Sequence, residues 1–220
     1  AHLIGRSDNS AALRLVNFAA CDPYITESGR TGMIAGMKIC KPVWDEFAGN
    51  KEKLFLEAQR IKANLLHKPI EETLHITTKE LEGKEKETVI KQRVNQSAFR
   101  LMILYNYEEH CAITGINIPD LLVASHIIPW ADSTPTQKLN PENGICLSAL
   151  YDRAFDHGLI TISPDDYTVC LSSALREYET QAYFDKHFGS IAGQKLIMPI
   201  EHRPNRDYLA YHRDRIFKGI

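Results

Sequence analysis

Residues 111–163 read CAITGINIPDLLVASHIIPWADSTPTQKLNPENGICLSALYDRAFDHGLITIS, and this stretch decides the fold. His126 is followed 17 positions later by Asn143; Asp152 comes nine positions after that and Asp156 four further on. Side chains at i and i+4 share one helix face, so these two carboxylates can hold a single dication. A histidine on a strand opposite such an ion is a candidate base for activating water. Phosphodiester hydrolysis needs these parts.

The local signals predict an antiparallel hairpin followed by a helix. Residues 121–127 (LLVASHI) form a short, β-rich apolar run that ends near His126 and reads as the first strand. A polar loop over 132–140 leads to Asn143-Gly144, which turns the chain into a second strand at Ile145, Cys146 and Leu147. A helix over 148–156 closes the unit, with Gly158 as its stop.

Four stretches carry a resemblance to a known family: SHIIPW (125–130), LNPENGICL (139–147), YDRAFDHGLITI (151–162) and, upstream, RVNQSAFR (93–100). Together they resemble the HNH, or ββα-metal, nucleases, in the branch of bacterial restriction-type HNH endonucleases. The resemblance implies an α+β protein with a ββα-metal core, hydrolysing DNA phosphodiesters with one divalent ion. It implies His126 as general base, a neutral imidazole being able to accept a proton from water at pH 7. It implies Asn143 as the central asparagine, whose amide bonds across the loop and orients the histidine strand. Asp152 and Asp156 fall where metal ligands stand, and their hard oxygens favour Mg²⁺ or Mn²⁺.

Two positions depart from the family pattern. Ser125 stands where an aspartate or histidine commonly ligates the metal, so it is a weak ligand at best, or another acid such as Asp132 completes the sphere. Many members also carry two CxxC pairs that bind a structural zinc; the corresponding positions here are Cys111, Thr114, Ser148 and Tyr151. One thiolate is too few for a site that needs about four such ligands, so no structural zinc is expected. Apolar packing of Ile113, Leu122, Leu147, Leu150 and Phe155 is expected to hold the core instead.

Charge is distributed to suit this reading. The chain has a net charge of −2, but residues 111–166 carry two basic and seven acidic side chains, whereas 1–66 carry nine basic and seven acidic ones and 203–220 five and two. An acidic centre with basic flanks fits a metal site served by phosphate-contacting arms; a merely mixed surface is the plainer alternative. The 220 residues suffice for one or two cores. No apolar run approaches the roughly 20 residues of a membrane span. Five scattered cysteines argue against a disulfide framework and for a reducing, cytoplasmic setting.

Working outward, four regions are expected: a helical N-terminal region (1–66) with a possible DNA-reading segment, a polar linker (67–89), the nuclease core with its lead-in helix (90–166), and a C-terminal extension packing on the core (167–220). Ala1 opens the chain without a methionine, and His2-Leu3-Ile4 closed by Gly5 reads as the end of a helix, suggesting a longer parent chain. Ser10 is the expected cap of a helix to about residue 20, whose Arg14 and Asn17 are compatible with a helix-turn-helix reader or with a plain helical hairpin. Residues 22–41 read as loop, and 42–66 as helix interrupted near Gly49-Asn50.

The lead-in helix, over 88–109, should bury Val94, Ala98, Leu101 and Tyr105, leaving Arg93 and Arg100 to contact phosphate or to pair with the acidic linker. Arg153 is a further candidate phosphate contact. Beyond the core, a strand is expected at 167–171, helix over 173–188, and a final helix over 207–217. DNA is the expected partner, with a homodimer as the plausible means of cutting both strands and no membrane association. The alternative is a DNA-binding module with a degenerate, inactive HNH core, suggested by Ser125.

Overall fold

The computed structural model describes residues 1–76 and 83–219, which fall into two compact units, residues 1–95 and 96–220. The protein is α+β, with small antiparallel sheets among many helices.

In the first unit, a three-residue 3-10 turn (His2–Ile4) ends at Gly5, and Ser7 caps α1 (Asp8–Ala19), accepting from the Ser10 N–H at 3.2 Å. The cap is therefore Ser7, three residues before the expected Ser10, because Asp8 and Asn9 are themselves helical. Asp22 followed by Pro23 is a strong helix start. It opens α2 (Pro23–Glu27) inside what reads as loop, and α3 (Met37–Phe47) begins there too. Asn50 breaks the next segment by capping α4 (Lys51–Leu65), accepting from Lys53 N–H at 2.9 Å.

The short α5 (Ile70–Thr73) follows, then α6 (Gly83–Asn106), which runs through the boundary at residue 95. Residues 77–82 of the expected linker lie outside the described residues. Glu71 pairs with Lys86, which holds the Glu71 carboxyl below its ordinary range. The α1 residue Asn17 is buried under Gly36, where a Cβ would lie 2.2 Å from the Asn17 side chain. Asn17 is thus spent on packing, and Arg14 directs Nη1 at Cys40 Sγ, 3.9 Å away.

The second unit begins on α6. Val94, Ala98, Phe99 and Ile103 line its buried side; Leu101 and Tyr105, expected inside, are each 64% exposed. The apolar residues of α6 support two stripes about one residue apart, and Phe99 and Ile103 win because Gly144 admits them. A Cβ on Gly144 would meet the Ile103 and Phe99 side chains at 2.4 and 2.6 Å.

Strands β1 (Leu122–His126) and β2 (Gly144–Ser148) form an antiparallel ribbon in which His126 faces Gly144 and Ser125 faces Ile145. Between them lies the one-turn helix α7 (Pro135–Lys138). Helix α8 (Ala149–Asp156) follows β2 directly and packs on both strands, completing the ββα unit. Ile113, Leu122, Leu147 and Phe155 are buried there, but Leu150 is exposed, since it lies on the outer face of α8.

A second hairpin, β3 (Ile160–Ile162) with β4 (Val169–Leu171), continues the chain. The helix expected over 173–188 is a 3-10 stretch (Ser173–Tyr178) and the short α9 (Phe184–His187). Finally α10 (Arg206–Arg215), capped by Asn205, packs against β3. Gly158 ends α8 with φ 66°, and its missing Cβ leaves room for the Ile216 carbonyl. All five cysteines are unpaired, and no described helix is long and apolar enough to cross a membrane.

Candidate active site

The loop between β1 and β2 is organised by one buried amide. Asn143 is fully buried; its Oδ1 accepts from Ile128 N–H at 2.9 Å, and its Nδ2 donates towards Ser133 Oγ and the Gln137 carbonyl at 3.2 Å each. Ile127 N–H also donates to the Asn143 carbonyl at 3.0 Å. A side chain with two donors and one good acceptor can bridge three points of a loop. Asn143 does so, tying the end of β1 to the turn of α7.

That turn in turn holds His126. The imidazole Nε2 lies 3.2 Å from the Lys138 carbonyl. A carbonyl only accepts, so Nε2 carries the proton and the Nδ1 lone pair remains for another partner. The ring stacks on Phe99, centroids 3.6 Å apart, and meets Trp130 edge-on at 5.5 Å. Burial pushes its pKa down to about 4, with the Lys138 charge adding to the effect and the carbonyl opposing it. The ring is therefore neutral at pH 7.

Ser125 precedes His126 on the strand, so the two side chains leave opposite faces of the ribbon. On the Ser125 side stands α8. Burial raises the Asp152 carboxyl above its ordinary value, while Ser125 and Arg153 favour the charged form. Asp156 is also raised, by burial first and then by the Asp152 charge. Ser125 is 2% exposed, and its hydroxyl completes no hydrogen bond of full geometry even though it lies close enough to act on Asp152. Two mutually repelling carboxylates beside an unsatisfied buried hydroxyl form a site that a hard dication would suit, with water completing its shell. Among the described residues no cluster of three or more His, Cys, Asp or Glu side chains is arranged for a metal. The structure thus brings Ser125, Asp152 and Asp156 together, with His126 one residue away on the ribbon's other face.

The remaining candidates divide. Arg100 donates to the Leu122 carbonyl at 2.6 Å and the Pro119 carbonyl at 3.2 Å, bracing the entry to β1. Arg93 and Arg153 are exposed. Asp132 accepts from the Tyr211 hydroxyl at 3.2 Å. Cys111 Sγ accepts from Ser148 N–H at 3.2 Å, and the Tyr151 hydroxyl donates to the His187 carbonyl at 2.8 Å. Sequence reasoning passed over Lys138 and His212. Lys138 gave a signal, being one of only two basic residues in 111–166; His212 lies outside the motif and gave none.

A hairpin feeding a helix that carries two acids at i and i+4 is the arrangement of a ββα unit. Residues 111–163 match the model of the HNH endonuclease family, so the chain carries an HNH endonuclease domain over the ribbon, α8 and β3. No curated protein matches the chain. An HNH domain points to nuclease function on DNA, in a family that generally uses a divalent metal.

Proposed function

We propose that this protein is a divalent-metal-dependent endodeoxyribonuclease of the restriction type, acting on duplex DNA. The observation that carries the reading is the coincidence of the HNH match with a ribbon and helix that gather Ser125, Asp152 and Asp156 on one face, with His126 at the end of the same strand on the other. Asp152 and Asp156 hold the ion, Mg²⁺ or Mn²⁺ by ligand hardness, with Ser125 as a weak or water-mediated third group. When bound, the ion supplies positive charge to the phosphorane-like transition state and the leaving oxygen.

The protein's own residues supply the rest. His126 takes a proton from water at Nδ1 as the water oxygen attacks phosphorus; the P–O3′ bond breaks, and the 3′ oxygen is protonated from solvent. Asn143 acts through geometry, fixing the loop whose Lys138 carbonyl sets the imidazole tautomer. An incoming phosphate, being negative, draws the imidazole pKa back up towards the useful range. Arg153 on α8, Arg93 on the lead-in helix and Arg14 serve as phosphate contacts, whereas Arg100 acts by supporting β1. A homodimer in a cytoplasmic setting fits an enzyme that must cut both strands.

The test is cleavage of supercoiled plasmid, modified and unmodified, by the full chain with Mg²⁺ or Mn²⁺. Nicked or linear product that disappears in His126→Ala is expected. An intact plasmid under every metal, with His126→Ala indistinguishable from the parent, overturns the reading.

Ser125 in place of a stronger ligand favours a second reading, a DNA-binding module with an inactive core. Metal titration separates the two. Tight duplex binding with neither metal uptake nor nicking selects the module.

A further inference from the structure

We infer that Lys138 is a substrate-binding residue whose ammonium takes the DNA phosphate next to His126, while its carbonyl orients the imidazole. The inference rests on the nuclease reading and names a contact within that same site.

Three observations carry it. The Lys138 Nζ lies 5.1 Å from the centroid of the Trp130 ring, and that same indole meets the His126 ring edge-on. One aromatic plate therefore carries the ammonium and touches the imidazole, and a cation over an indole face is held without being neutralised. Second, Lys138 takes part in none of the ion pairs among the described residues. In a stretch with seven acids and only one other basic residue, a lysine that avoids every carboxylate is positioned for a different anion.

Third, the segment bearing it is rigid before any ligand arrives. Thr134 and Gln137 close a capping box around α7, Lys138 N–H donates to the Thr134 carbonyl at 3.1 Å, and Asn143 holds the Gln137 carbonyl. The ordering cost of the contact is thus largely met in the free protein.

The test is fluorescence anisotropy of a short labelled DNA duplex in EDTA, with the full chain, Lys138→Gln and Lys138→Arg, over a series of NaCl concentrations. Each phosphate contact contributes about 0.9 to the slope of log K against log salt. Lys138→Gln is expected to bind several-fold more weakly at low salt with a slope shallower by about 0.9, and Lys138→Arg to restore the parent slope. Melting temperatures of both variants should match the parent, because Gln keeps the backbone carbonyl and most of the stem. A parent slope in Lys138→Gln overturns the inference. If the parent cleaves DNA through His126 yet Lys138→Gln keeps its slope, this inference alone fails. If the parent binds no duplex at any salt, this inference fails, and the nuclease reading fails with it only if plasmid also stays intact with Mg²⁺ and Mn²⁺.

Discussion

Two histidines in the 96–220 unit sit in nearly the same physical setting but differ in how many of their ring nitrogens are already spent. His126 stacks on Phe99 and His212 on Phe155, each with ring centroids 3.6 Å apart, and burial pushes both pKa values down to about 4. At His212 both nitrogens are committed: Nε2 donates to the Phe155 carbonyl at 3.0 Å, and Nδ1 accepts from the Thr161 hydroxyl at 2.8 Å. The residue is 1% exposed and locks α10 onto α8 and β3. At His126 one nitrogen is committed, and among the described residues Nδ1 has no hydrogen-bond partner. Burial alone therefore does not separate the two imidazoles. The unspent lone pair of His126 does.

The largest effect that would break this comparison is on cleavage. His126→Ala is expected to lower the plasmid nicking rate by about 10²–10⁴-fold, while circular dichroism still reports a folded protein. Activity surviving in His126→Ala and lost in a folded His212→Ala would reverse the assignment.

On stability the order should invert. His212→Ala removes a stacked, fully buried ring and two hydrogen bonds, a loss of about 3 kcal/mol. Melting should fall by roughly 6–12 °C for a chain of this size, and His212→Gln, which can still donate and accept, should recover part of it.

The pH dependence sharpens the same contrast. A histidine whose pKa drops from 6.5 to about 4 on folding binds fewer protons folded than unfolded between those values. Its stabilisation is complete above pH 6.5, is lost as the pH falls towards 4, and is level below that. The contribution of His212 is on the order of 3 kcal/mol, so the melting temperature should decline over this window, and less steeply in His212→Gln. An equal decline in both proteins would show that His212 is not the group titrating.

The smallest effect has the opposite sign. Burial raises both acids, and the Asp152 charge raises Asp156 further, so their charged forms oppose folding at neutral pH in the metal-free protein. For a raised carboxyl, stability is present below the unfolded value of 3.8 and is lost as the pH rises through the folded one. Asp152→Asn should therefore raise the metal-free melting temperature by roughly a degree or two and abolish any further rise on adding Mg²⁺ or Mn²⁺. A lower melting temperature in that variant would mean that the carboxylate is held by a favourable partner.

Much of the hairpin was legible because strand and turn chemistry is local: LLVASHI is apolar and β-branched around a polar end, and Asn143-Gly144 starts a strand. The same holds for α4, whose Asn50 cap follows directly from the residue type. The buried side of α6 was not legible, since Leu101 and the ring of Tyr105 offer large apolar surface just as Phe99 and Ile103 do. Only the space left by Gly144 chooses between the two stripes.

What the chain order determined by itself is the set of parts: a histidine at a strand end, a central asparagine, and two acids one helical turn apart. Covalent spacing and helical period suffice for that. Which polar groups are already spent was decided by packing between segments far apart in sequence. Arg100 is used by the carbonyls of Pro119 and Leu122, His212 by Phe155 and Thr161, and Lys138 rests on Trp130. Hydrogen bonding saturates, so a group's freedom to meet a ligand is fixed only once every neighbour has taken its share.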